Sequence, residues 1–235
     1  MMLSQLTADE QSALAAGRWF SQLPPFSRPA LLRFASVKQY EDGQQIVAMD
    51  RPFAGLLACT SGAVRVCTTT SGGAMLAISY VKPGAWLCTA GVLEGTACAH
   101  EAYARGDTTL LSVSAKDFRS LLAEHPEFYE AVLRLYAREI RGLFARIEDL
   151  HTLQLRARLG KQLAALASGF GVPGMEGSVK IGLHLSQAEL GQLVGASRQR
   201  VNRELKLMEQ EGVIQQLGDG LKICDRRALE TISQG

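Results

Sequence analysis

Residues 185–214, LSQAELGQLVGASRQRVNRELKLMEQEGVI, constrain the fold more tightly than any other stretch. Ser186 with Glu189 three positions on is a capping box, so a helix starts there. Leu190, Leu193 and Val194 give that helix one apolar face. Gly195 supplies the positive φ that a sharp corner needs, and Ser197 is a good N-cap for a second helix. In the second helix Val201, Leu205 and Met208 recur at inward spacing, leaving Arg198, Gln199, Asn202, Arg203 and Lys206 outside. From Ser197 to Lys206 four cations (Arg198, Arg200, Arg203, Lys206) face one acid, Glu204. Charge alone would suit a solvated face on any helical hairpin. Two caps, a corner glycine and exposed hydrogen-bonding forks together point instead to a helix-turn-helix that offers its second helix to base edges.

The rest of the chain must carry that element. At 235 residues there is room for two cores. Net charge is +2, from 25 basic and 23 acidic residues, too balanced to signal a nucleic-acid partner globally, so local charge has to decide. Residues 8–20 are helical in composition, Pro24-Pro25 breaks them, and 29–34 form a further turn or short helix. Residues 37–114 carry short apolar runs at 46–48, 55–59, 64–68, 75–80 and 109–113. Turn signals at Glu41-Asp42-Gly43, Ser61-Gly62, Ser71-Gly72-Gly73 and Pro83-Gly84 separate them, which predicts a sandwich or jelly roll. Ser114 opens a helix, and Pro126 opens a long one. Along it Tyr129, Leu133, Tyr136, Ile140, Leu143, Ile147 and Leu150 alternate steps of four and three. That is a heptad seam, narrower than the stripe of an ordinary core helix. A hinge is expected from Glu148 to Thr152. Residues 153–167 are helical again, 168–177 read as a loop, and 179–183 as a strand. Alternating runs at 213–217 and 221–224 flank Gly218-Asp219-Gly220, a hairpin signal that makes the C-terminal part a winged helix. Asp225 is placed to cap a last short helix.

The pattern S-x-x-E-L-G-x-L-V-G-x-S-R-x-x-V-x-R-x-L-K resembles the CRP/FNR superfamily of bacterial transcription regulators almost residue for residue. The rest of the chain resembles it less specifically. The resemblance implies an α+β fold: an N-terminal cyclic-nucleotide-binding-like β-roll (a double-stranded jelly roll) over 1–125, a dimerisation helix and hinge over 126–152, and a winged helix-turn-helix domain over 153–235. It implies a homodimer paired through the seam. Its target would be double-stranded DNA with a two-fold palindromic operator, with RNA polymerase as a further partner. Arg198, Gln199 and Arg203 would read bases, Asn202 would lie on the same face, and Ser186, Ser197 and Lys206 would sit near phosphates. Many relatives carry glutamate where this chain has Gln199.

Family members that bind cyclic AMP hold its ribose with Gly-Glu, its phosphate with Arg-Ser and its adenine with Thr-Ser. Aligned on this chain, those pairs become Cys88-Thr89, His100-Glu101 and Leu143-Phe144, and no arginine lies between Gly84 and Ala104. Cyclic AMP is therefore not expected as the effector. Such a site would suit a hydrophobic ligand, a haem edge, a differently placed nucleotide or nothing at all. An iron–sulfur cluster is not expected, because the first cysteine is Cys59. The cysteines lack C-x-x-C spacing, so zinc is not expected either; as five free thiols they point to a reducing cytoplasm, with Cys88 and Cys98 a conceivable redox pair. His100 could ligate haem iron, but reads more simply as a polar strand residue. No catalysis is expected, the N-terminal residues do not read as a signal peptide, and no apolar run approaches bilayer length. The alternative function is a small-molecule, haem or redox sensor signalling through protein–protein contacts.

Overall fold

The computed structural model describes residues 3–49, 51, 55–87, 96, 98, 100–218 and 220–235, apart from the side chains of Leu3 and Glu176. It divides into two compact units, Met1–Ile140 and Arg141–Gly235.

The first unit is an antiparallel roll wrapped by helices. Its strands are β1 (Ala35–Tyr40), β2 (Gln45–Val47), β3 (Gly55–Thr69), β4 (Met75–Val81), β5 (Trp86–Leu87) and β6 (Glu101–Ser114). They pair in the order β1-β6-β3-β4, with β2 on β6 and β5 on β3. Helices α1 (Ala8–Ala16), α2 (Arg18–Ser21) and α3 (Ser27–Arg33) precede the roll. Helix α4 (Ala115–Glu124) and the long α5 (Glu127–Thr152) follow it. The core joins Leu56, Leu57, Val64, Leu110, Leu111 and Val113 to Phe118, Leu121 and Leu122 of α4 and Phe128, Val132 and Leu135 of α5.

The expected Ser61-Gly62 turn is a bulge inside one continuous strand. The β3–β6 register shifts on either side of Ser61, and Gly62 takes φ 70°. A Cβ there would lie 2.4 Å from the Asp107 carbonyl oxygen, so the strand passes only because the residue is glycine. The expected helix over 8–20 is broken at Gly17, whose Cβ would meet the Gly84 carbonyl oxygen at 2.1 Å. Glu10 ties this region down. Its carboxylate accepts from the Thr7 amide, closing a capping box, and from the Ser61 hydroxyl at 3.0 Å. Burial raises its pKa, but hydrogen bonds from Thr109, Thr7 and Ser61 together pull it below the ordinary carboxylate value.

The second unit contains the end of α5, then α6 (Leu155–Phe170), α7 (Gln187–Val194), α8 (Arg198–Gln210) and α9 (Arg226–Gln234). A four-stranded sheet, ordered β7-β8-β10-β9, is built from β7 (Gly171–Pro173), β8 (Val179–Ile181), β9 (Ile214–Leu217) and β10 (Gly220–Ile223). Leu155, Leu159, Leu163 and Leu166 of α6 are buried. The expected loop over 168–177 is instead the end of α6, the edge strand β7 and a 3-10 turn, Met175–Gly177. The glycine-rich composition with Pro173 concealed β7, because its order comes from pairing with β8. The expected hinge over 148–152 is helical throughout, and the break falls at Leu153-Gln154. Asp219 of the wing turn lies outside the described residues.

Candidate nucleic-acid interface and sensor site

The two-helix corner is assembled by local hydrogen bonds. The Ser186 hydroxyl accepts from the Glu189 amide at 3.1 Å, and Glu189 returns a carboxylate to the Ser186 amide at 2.8 Å. Helix α7 ends on Gly195 at φ 65°, ψ 46°, where an L side chain is strained. The Ala196 amide then reaches back to the Gly191 carbonyl at 2.9 Å. Gly191 was not anticipated as a corner residue, yet its Cβ would lie 2.5 Å from the Ala196 oxygen. Ser197 caps α8 through the Arg200 amide.

Helix α8 rests on Val201, Leu205 and Met208, all at most 1% exposed. Arg198, Gln199, Arg200, Arg203 and Lys206 are exposed. Among the described residues, the side chains of Arg198, Gln199, Arg203 and Lys206 make no hydrogen bond or ion pair. Asn202, expected outside with them, is half-buried, so the free face is narrower than spacing suggested.

The wing is clamped to this helix. Glu209 of α8 accepts from both the amide (2.6 Å) and the side-chain nitrogen (2.8 Å) of Gln216 on β9. Gln187 of α7 donates to the Gln216 side-chain oxygen at 3.3 Å. The Gln216 backbone and side-chain hydrogen bonds hold the Glu209 carboxylate below its ordinary pKa. No local motif flagged this triad, because its members come from three elements.

Along α5 the heptad seam faces outward. Leu133 is 66% exposed, and Tyr129, Ile140, Leu143, Ile147 and Leu150 are each about half exposed. Tyr136 is half-buried. Phe128, Val132 and Leu135, which lie off the seam, are the buried side of the helix.

The candidate sensor residues are less informative. Cys88 and Thr89 lie outside the described residues. His100 is exposed. The Glu101 carboxylate accepts from Thr69 at 2.9 Å, Tyr103 at 3.1 Å and Gln45 at 3.3 Å. Leu143 and Phe144 belong to the second unit and are 54% and 67% exposed. Among the described residues Cys59, Cys98 and Cys224 are free thiols, and burial pushes Cys59 up to about 12. Among the described residues no helix is long and apolar enough to cross a membrane, and no three His, Cys, Asp or Glu side chains cluster as a metal site.

The profile of the cyclic nucleotide-binding domain matches residues 37–125, and that of the Crp-like helix-turn-helix domain matches residues 157–232. The chain belongs to the CRP/FNR superfamily. Its CRP/FNR relatives include a CRP-like cAMP-activated global transcriptional regulator of Mycobacterium tuberculosis, 27% identical over 92% of this chain and 96% of the relative. The cAMP-activated global transcriptional regulator CRP of Pasteurella multocida is 24% identical, over 88% of this chain and all of the relative. Among solved structures, a CRP/FNR-family transcriptional regulator from Thermus thermophilus superposes at TM-score 0.71 with 21% identity, covering 85% of this chain and 99% of that one. FixK2 from Bradyrhizobium japonicum superposes at TM-score 0.73 with 18% identity, covering 84% and 96%. These likenesses establish the fold, a β-roll unit followed by a winged helix-turn-helix. As a CRP/FNR member the chain is a CRP-like transcriptional regulator with a DNA-binding helix-turn-helix, and these relatives are regulators rather than enzymes.

Proposed function

We propose that this regulator works in the cytoplasm as a homodimer paired along α5, reads a two-fold palindromic operator through α8, and acts on transcription through RNA polymerase. The observation that carries the reading is the row Arg198, Gln199, Arg203 and Lys206, exposed on a rigidly seated helix and unpartnered among the described residues. Arg198 and Arg203 suit guanine O6/N7, and Gln199 suits adenine N6/N7 where glutamate would accept from cytosine N4. The half-sites then lie about one helical turn apart, ~34 Å, the general spacing for such dimers. Ser186, Ser197 and Lys206 contribute phosphate contacts, although both hydroxyls already accept a capping amide.

For the effector, the Mycobacterium tuberculosis and Pasteurella multocida relatives are cAMP-activated, but this chain's chemistry argues against that ligand. Where a phosphate-binding pair would carry arginine it has His100-Glu101, and Glu101 is an acceptor already engaged by three donors. Losing a bidentate arginine removes the main charge-assisted contact to phosphate, and a carboxylate adds repulsion. Leu143 and Phe144 offer the adenine no polar partner.

The test is to select duplexes from a random library with the full-length protein and titrate salt. Sequence-specific binding through several phosphate contacts should fall by roughly 10³–10⁵ between about 50 and 200 mM salt. Selection of no common sequence, or a flat salt response, refutes the reading.

A further inference from the structure

Arg158, on the first turns of α6, gathers carbonyl oxygens from three segments. Its Nε donates to Val194 at 3.1 Å, the last residue of α7 before the corner. Its Nη1 donates to Leu153 at 2.9 Å in the break, and to Leu150 at 3.5 Å in the last turn of α5. Helix C-termini leave carbonyls without intrahelical partners, and a guanidinium is both a multiple donor and the favourable charge there. Two further contacts bind the same turn to the same unit. Lys161 of α6 pairs with Asp149 at 2.5 Å. A Leu150 methyl lies 2.9 Å from where a Gly195 Cβ would stand, so the corner glycine leaves room for the last turn of α5.

We infer that Arg158 is a positioning residue for operator recognition: it fuses residues 149–153 to the helix-turn-helix, so that the direction in which α5 leaves sets the direction in which α8 is presented. The inference rests on the DNA-binding reading above. The expected hinge over 148–152 lies within the second unit, together with the helix-turn-helix. In a dimer whose half-sites are read together, loss of a fixed presentation angle shows as tolerance of wrong half-site spacing.

The experiment uses the full-length protein with Arg158→Ala and Arg158→Lys, and duplexes selected by the unsubstituted chain. Each duplex is remade with its half-sites one base pair closer or further apart. The unsubstituted protein should prefer the parent spacing by roughly 100-fold, Arg158→Ala by less than about tenfold, and Arg158→Lys by an intermediate factor, since an ammonium cannot fork. Base preference within each half-site should not change. Equal weakening on every spacing, or an unchanged preference, overturns the inference. Amide hydrogen exchange of residues 149–153, measured without DNA, probes the same coupling independently. Arg158→Ala should speed it at least about tenfold while the core of α8 stays protected, and no change there overturns the inference too. An unsubstituted protein that selects no duplex counts against the DNA reading, while the exchange result still decides the coupling.

Discussion

Leu143→Glu tests the dimer seam where the structure allows its magnitude to be worked. Leu143 is 54% exposed in a single chain, so about half of its burial free energy is still to be gained. Fully burying a leucine contributes about 1.5–3 kcal/mol, so the remaining half is about 1 kcal/mol per protomer and about 2 kcal/mol across a two-fold axis. The substitution also sets two carboxylates facing each other in a desolvating seam, which adds at least about 1–3 kcal/mol per group. The sum is about 4–8 kcal/mol, or roughly 10³–10⁶ in the dimer dissociation constant. A nanomolar dimer becomes a monomer at micromolar concentration. Sedimentation velocity at about micromolar loading reads this directly, with circular dichroism checking that α5 remains helical. Leu143 makes no core contact that its loss would expose, so the fold should survive. An unsubstituted chain that sediments as a monomer, or a Leu143→Glu protein that stays dimeric, refutes the reasoning.

Arg203→Ala should cost roughly 1–3 kcal/mol on the selected operator and relax preference at one base pair per half-site; uniform weakening on all sequences would make Arg203 a phosphate contact. Isothermal titration with cyclic AMP should give no saturable heat, and a low-micromolar dissociation constant overturns the argument from His100 and Glu101. Gly195→Ala should lower stability by about 1–2 kcal/mol from the left-handed backbone alone, with more from displacing Leu150; an unchanged thermal midpoint in a melt refutes the corner geometry. Alkylation at pH 8 should label exposed Cys224 and spare Cys59, whose thiol sits near 12; mass spectrometry showing modified Cys59 in folded protein contradicts its burial.

The helix-turn-helix was legible because its instructions are local. Ser186, Glu189, Gly195 and Ser197 act within four residues of themselves, and the burial of Val201, Leu205 and Met208 follows from spacing alone. The roll was legible as strands but not as connectivity. Ser61-Gly62 has turn composition, and only its pairing with β6 makes it a bulge. Likewise β7 exists through β8, and no property of residues 168–177 alone requires it. Arg158 was invisible for another reason. Its acceptors are backbone carbonyls, which carry no residue signature, from three separate segments. The seam showed in the sequence, while the docking of its last member, Leu150, against Gly195 did not.

The close meeting of Gly17 and Gly84 bears on how the chain is made. The first helices leave the ribosome long before their seat exists. Gly17 waits for the Gly84 turn, and the Trp19 indole waits for the Ala131 carbonyl, 112 residues downstream, which it reaches at 2.9 Å. Sequence-distant closures of this kind slow folding, because the loop entropy is spent before the contact forms. During synthesis Trp19 and Phe20, both at most 6% exposed in the finished unit, wait for the Trp86 ring, and Trp19 waits further for α5. That interval is when a nascent chain of this design most needs a chaperone.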